Sequence, residues 1–478
     1  MVPADQGGGR LMRTDTLTEP VEGLDDALAA VDALDRALTA GLLRPRPDRA
    51  ADLTALADAL AASPLAARVT EAAEKAAAGT AAEDHFVSLA AARTALLGAA
   101  HDALAQRIAD AVGRPTGASA DADAAQPAHT PDDTANLRAA ARTWLTDLAR
   151  AGWQGIDHDL IAGAAPVVTA LLAEPSARRP AALLDGFAAE LAASCPGTAL
   201  ERVPARRWGD LWARGMLLTV PGADAAPAPG TATGRLLPLG VDLHEHATAA
   251  QAQVHAVLEP ADGTTPRLVR ASVSAPKPDT VVGAGVWQLL RPHMALLAAL
   301  GEGRAMELDG MPVTAGGDLL WDDAHARTGE PADAFTTARV ALPTAVTAPT
   351  APLDRHPARI AVPVLLEGYT AHQGDDGLTF TVAGQPLAVD TDRVPVAGPL
   401  TPDAVAASGA CIGLLRWDGG RFAVQPLAVE TVVRKKPVAL HAGAWAGGTT
   451  DKAGVKAEKA ATDAVAALRE RAGRLLRK

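Results

Sequence analysis

The chain holds few aromatic residues and almost no cysteine. Aromatic side chains make up 3% of its 478 residues, with one Tyr and five Phe beside eight Trp. The two cysteines, Cys195 and Cys411, are too few for a disulfide framework, and neither has a neighbour with which to build a metal knuckle. That usage fits a reducing cytoplasm. No apolar run is long enough to span a bilayer, and the opening residues lack the basic-then-apolar order of a secretory signal. Walker text, G-x-x-x-x-G-K-[ST], is missing, which argues against a P-loop ATPase, and no G-x-S-x-G elbow is present. Gly283-Ala284-Gly285 lacks the third glycine of a dinucleotide fingerprint.

What is present is small aliphatic side chains and a surplus of acid. The composition is 48% hydrophobic, much of it alanine, which fills helices readily but buries little area per residue. Cores packed from Leu, Val and Ala follow, with each Trp a large local anchor. The net charge is −12, unevenly placed: from Thr431 onward there are 11 Lys/Arg against 4 Asp/Glu. A broadly basic nucleic-acid surface is thereby excluded. The basic end, with Arg434, Lys435 and Lys436, remains a stretch for weak contact with anions or nucleic acid.

Periodicity divides the chain. Residues 1–20 read as a flexible extension. Residues 21–112 carry apolar side chains at helical spacing (Leu24, Leu28, Val31, Leu34, Leu38, then Phe86 to Ile108) and predict a helical bundle. Residues 113–134 contain no large apolar side chain and read as a linker. A second helical block follows over 135–219, with the two blocks not separable into one domain or two by pattern alone.

Residues 235–433 switch to short alternating runs broken by Gly and Pro. Gln251–Glu259 places Ala252, Val254, Ala256 and Leu258 on one face and Gln251, Gln253 and His255 on the other. Leu268–Val273 is its expected antiparallel neighbour. Val286–Leu300 reads as a helix, Asp309–Gly310 as a tight turn, Ala358–Leu366 as a strand, and WDGGRF as a hairpin tip. Residues 451–478 predict a basic C-terminal helix. The expected fold is therefore α+β and multidomain: an all-α bundle region, then a β-rich sandwich or partly open barrel, then that helix.

Three constellations bear on chemistry. Asp242-Leu243-His244-Glu245-His246 sets His244 and His246 on one strand face, and a cross-strand His255 would complete an imidazole set for a metal ion such as zinc or iron. A polar strand end is the plainer reading. Asp157-His158-Asp159 cannot converge on one centre from a helix, so helix capping is expected there. Asp318, Asp322 and Asp323 have no phosphate cradle beside them and read as loop carboxylates. Cys411, in GACIGLL, reads as a core side chain.

The segment Arg206–Thr219, RRWGDLWARGMLLT, stands where helical text gives way to strand text. Trp208 and Trp212, four apart, share a helix face, with Arg206, Arg207 and Arg214 on the rim. The pair is expected to pack the helical region against the β-rich region, or to form a partner hot spot. With the alanine-rich helices before it, this text resembles a family of actinobacterial proteins. Members are encoded beside a SWIM zinc-finger protein, a MoxR-type AAA ATPase and a von Willebrand A-domain protein. The chain has neither the ligands of a SWIM finger nor Walker text, so the resemblance implies an accessory member of an ATPase-containing multiprotein system and carries no catalytic residue across. The leading expectation is a non-enzymatic cytosolic scaffold or adaptor without a cofactor. Alternatives are a metal-dependent enzyme or small-ligand-binding protein using the His cluster, and weak nucleic-acid binding by the basic tail.

Overall fold

A computed structural model describes residues 12–114, 134–223, 229–375 and 377–475. The expected linker and the first part of the expected extension lie mostly outside these residues. What is described of the extension forms a short helix, α1 (Thr14–Thr18), whose Thr14 hydroxyl donates to Val382 O at 2.8 Å.

The helical half contains α2 (Leu24–Ala40), α3 (Pro47–Asp58), α4 (Ala66–Ala77), α5 (Glu83–Val112), α6 (Ala135–Ala151), α7 (His158–Ala162), α8 (Ala164–Ala173), α9 (Arg178–Ala193) and α10 (Ala205–Leu218). One hydrophobic cluster runs from Ala30 through Leu97 and on from Ala141 to Met216, so the two blocks share a single core. Asp157 caps α7 as expected, its Oδ1 accepting from Leu160 N at 2.8 Å.

The β-rich half is built from two ring-like sheets, of which only the first closes by strand pairing. In the first, β1 (Gly230–Glu245), β2 (Ala249–Pro260) and β3 (Arg267–Pro276) are antiparallel neighbours. Helices α11 (Ala284–Leu290) and α12 (Leu296–Gly301) then lead to β4 (Arg304–Val313) and the two-residue β5 (Asp318–Leu319). β5 lies parallel to β3 and antiparallel to β4, and β4 returns to β1, giving the order 1-2-3-5-4-1. The ring is partly open because β5 is so short. β6 (Ala326–Pro331) pairs along β4, and α13 (Ala334–Val340) follows.

The second ring repeats that order. β7 (Val362–Glu367) and β8 (Thr370–Gly374) are two halves of one extended run interrupted at Gly368–Tyr369. β8 pairs with β9 (Gly377–Val382) and β9 with β10 (Gln385–Val389), both antiparallel. After α14 (Pro402–Ala406) come β11 (Ala410–Asp418) and β12 (Arg421–Val433). β12 lies parallel to β10 and antiparallel to β11, and β11 returns to β7. Each ring thus has five strand positions, a parallel third–fifth pair and a helical crossover between the third and fourth. The first sheet closes by strand pairing without forming a true barrel, and the second is continuous only through the β7–β8 run. β13 (Lys436–His441) forms a hairpin with β12, and α15 (Lys452–Leu475) ends the described chain.

Three local expectations are corrected. Asp309–Gly310 is a bulge inside β4, opposite a matching shift in β1 at Ala232/Gly234, with Gly310 N–H donating to the Thr233 hydroxyl at 3.0 Å. The helix expected over Val286–Leu300 breaks into α11, a 3₁₀ turn at Arg291–His293 and α12, because Pro292 cannot donate to the helical ladder. The strand expected from Ala358 starts at Val362, after a 3₁₀ turn over Pro357–Arg359.

The halves are joined by α5. Its 30 residues span about 45 Å at 1.5 Å per residue. Phe86 to Leu97 belong to the helical core, while Ala100, Leu104, Ile108 and Ala111 enter the cluster that fills the rings.

Candidate functional site

Trp208 and Trp212 lie inside the helical core and not between the halves. Trp208 packs edge-on to Trp153, ring centroids 6.0 Å apart, and the Trp212 indole donates to Leu145 O at 2.9 Å. The reason is on the same helix. Gly209 leaves room for a buried ion pair, and a Cβ there would stand 2.3 Å from Asp35 Oδ1. Arg93 donates to both Asp35 oxygens at 2.8 and 3.0 Å and to Arg206 O at 2.9 Å. That pair and the two indoles draw α10 into the bundle. Arg206 pairs with Asp32 and Arg207 with Glu190, both within the helical half. Arg214 is the rim residue that crosses over: it reaches Asp354 at 3.2 Å in the connector between the rings. Asp354 also takes Arg359 at 2.7 Å, and Arg355 donates to Asp102 on α5 at 3.1 Å. His356 sits in the same seam, its imidazole held down at about 4 by burial.

The three histidines of the metal expectation are separated. In the β1–β2 register His255 stands opposite Gly240 and His244 opposite Gln251, four residues or about 13 Å along the strand. His244 lies against Asp242 at 2.9 Å, and His246 Nδ1 lies 3.0 Å from the Thr248 hydroxyl. No group of three His, Cys, Asp or Glu among the described residues is placed to hold a metal ion. The carboxylates Asp318, Asp322 and Asp323 are likewise spent: Asp318 pairs with Arg270, Asp322 accepts from Ala324 N, and Asp323 accepts from Trp321 Nε1 and Ala295 N.

Asp242 belongs to a buried polar knot between the rings. Gly240 brings β1 against β12, where a Cβ would meet Leu427 Cβ at 2.7 Å. Two residues on, Asp242 is 2% exposed and accepts from Arg416 on β11 and from Gln425 Nε2 on β12 at 2.8 Å. Arg416 Nε closes the knot on Gln425 Oε1 at 2.6 Å. Burial alone would raise the Asp242 pKa; His244, Arg416 and Gln425 overcome it and hold the carboxyl well below the usual range. Cys411 is fully buried, and burial raises its thiol pKa, which fits a core side chain and not a nucleophile.

His255 leads to a cavity. It shares a sheet face with Gln251 and Gln253, which the alternation pattern had assigned to solvent. The end of that face bearing His255 is roofed by α5 and the ring connector. His255 is 3% exposed, and its Nε2 has no hydrogen-bond partner. Burial holds its pKa down at about 3; Arg270 and Arg416 push the same way, against Asp242. The cavity is about 120 Å³, walled by His255, its cross-strand neighbour Arg270, the Gly316–Gly317 turn, Thr347, Arg359, and His101 of α5. No Asp or Glu among the described residues lines it. Arg270, Arg359 and His101 were not legible as site residues, because they come from three segments that only the fold brings together.

The basic residues Arg434, Lys435 and Lys436 form the tip of the β12–β13 hairpin, where Val433 pairs with Lys436. In architecture the chain is a helical half joined by one long helix to two tandem five-stranded rings. Compared with family models, curated proteins and solved structures, it matches none.

Proposed function

We propose that the protein is a non-enzymatic scaffold or adaptor that works in the cytoplasm as part of a multiprotein system. The observation that carries this reading is α15. Only Gly454 of its 24 residues is buried. Its inner stripe (Ala457, Ala461, Val465, Leu468) lies half-buried beside α11, tied down by Arg291 to Glu458 at 2.7 Å and Gln288 to Glu458 O at 3.0 Å. The outer faces carry Lys452, Lys456, Lys459, Arg469, Arg471 and Arg474, all exposed, with Arg474 paired to Glu470 on the same helix. A helix of this length that contributes so little to its own core suits contact with an acidic partner surface. The interior charges support the same reading, since Asp35–Arg93 and Asp242–Arg416 are both tied up in packing. The unpaired thiols Cys195 and Cys411 suit a reducing compartment.

The test places a photo-cross-linking residue at Lys459 in the full chain, expressed in its native host, with Glu74 on α4 as control. One reproducible cross-linked species from position 459, absent from position 74, is expected. A chain that stays uncross-linked at position 459 would sink the adaptor reading.

A further inference from the structure

We propose that the cavity between α5 and the first ring binds a small oxyanion of phosphate size. The proposal is independent of the adaptor reading and rests on what the wall is made of.

In a chain of net charge −12, the described residues that line this cavity include two arginines and two histidines and no carboxylate. The fixed positive charges on the wall are Arg270 and Arg359, each balanced by a carboxylate that is not among the wall residues, Asp318 and Asp354. The arginines are not used up by their existing partners. Arg270 meets Asp318 through Nε and Nη2, and Arg359 meets Asp354 through Nη1. Each guanidinium carries five N–H donors, so donors remain on both. Both ion pairs are close to half exposed, 42% and 41% for one and 45% and 33% for the other, so water weakens them and an incoming anion competes readily.

His255 supplies the second, independent observation. A buried ring nitrogen without a partner costs free energy unless something fills the space beside it. Burial first, and then Arg270 directly across the strand, disfavour the charged imidazole, and a neutral imidazole still offers one N–H. The Gly316–Gly317 turn and Thr347 complete the wall with backbone and hydroxyl groups.

Size narrows the ligand class. The cavity is well below the several hundred Å³ of a typical cofactor or drug-sized site, so a nucleotide does not fit whole. It is larger than a single water needs. An inorganic phosphate, or the phosphate end of a small ester, matches both the volume and the forked donors of two arginines.

The test is calorimetric titration of the full chain with sodium phosphate near neutral pH, with sodium chloride balanced to constant ionic strength. Saturable binding of one equivalent is expected. Arg270→Gln and Arg359→Gln should each weaken it about tenfold or more, as loss of a charge-assisted hydrogen bond does. Arg235→Gln, on a surface ion pair outside the cavity, should leave it unchanged. The His255 imidazole resonances should shift on phosphate addition in wild type. Absence of saturable heat at millimolar phosphate would show a water-filled cavity and overturn the proposal. So would binding that survives both arginine substitutions, or a His255 signal that does not move. Acetate binding in place of phosphate would overturn the phosphate assignment.

Discussion

The two rings have the same connectivity and are built from different material. The first has long strands, 16, 12 and 10 residues for β1 to β3, and a crossover of two helices whose Trp287 is fully buried. The second has an interrupted run, β7 and β8, at the first position, strands of six and five residues at the next two, and a crossover helix of five. The first closes on a fifth strand of two residues, the second on a fifth strand of thirteen. The lengths do not match, yet the order 1-2-3-5-4-1 does. The shared order therefore constrains the rings' shape and not their use. What differs is where each ring puts its polar groups. The first ring turns a polar face under α5 and encloses the cavity; the second turns Tyr369 inward, stacked on Phe380 with ring centroids 3.9 Å apart and its hydroxyl 2.6 Å from that of Ser408.

The largest expected effect comes from the knot that joins them. Asp242→Ala leaves the Arg416 guanidinium buried without its carboxylate and should cost about 3–5 kcal/mol, the usual penalty for breaking one side of a buried pair. Replacing all three members, Asp242→Leu with Arg416→Met and Gln425→Leu, should recover most of that loss, because neither charge nor the Gln425 amide is then stranded. Denaturant unfolding followed by tryptophan fluorescence checks both. If the rings form one cooperative unit, the single variant shifts a single transition. A split into two transitions, with only the first ring lost early, would break the view that the seam couples them.

A smaller effect separates the regions by pH. In the folded chain the imidazoles of His255 and His356 titrate at about 3 and about 4, both lowered chiefly by burial. Unfolded, they titrate near 6.5. Between those values the unfolded chain binds more protons, so stability rises with pH there. Their contribution is complete above about pH 6.5 and is lost as pH falls towards 3. His255→Gln should flatten this acid limb. His441→Gln, on β13 of the second ring and also lowered by burial, should flatten it less. Urea midpoints measured from neutral pH to about pH 4 decide the order; equal flattening would remove the distinction between the rings.

Much of the architecture was readable in the text. Helical periodicity in 21–112 and 135–219, the β2 alternation and the WDGGRF hairpin all have their counterparts, the last as Asp418 paired with Arg421. These are signals carried by near neighbours in sequence. The failures involve distance. Trp208 and Trp212 were expected at the junction because the text changes there. The joint is instead α5, which reads as one uniform helix and divides its contacts only in three dimensions. His255 was placed on a polar face, correctly, but nothing in its strand indicates that α5 and residues 347–363 cover that face. Ring repetition was invisible as well, because unequal strand lengths and crossovers leave no fixed sequence period to find.

The smallest expected effect compares two hairpins of the second ring. The β11–β12 turn uses Gly419 and Gly420 at φ +55° and +81°, a left-handed geometry that glycine adopts without penalty. The β12–β13 turn asks the same of Arg434 and Lys435, at φ +51° and +65°. A side chain in that region costs roughly 1–2 kcal/mol. Arg434→Asn with Lys435→Gly should therefore stabilise the protein by about 1 kcal/mol and raise the denaturant midpoint without changing its slope. The matched exchange at the other hairpin, Gly419→Arg with Gly420→Lys, should destabilise by a similar amount. If both changes fall within error, the φ values impose no strain. If the first pair stabilises as expected, the chain keeps two cations at a turn that suits glycine better, and the reason for keeping them lies in what the exposed tip meets rather than in the fold.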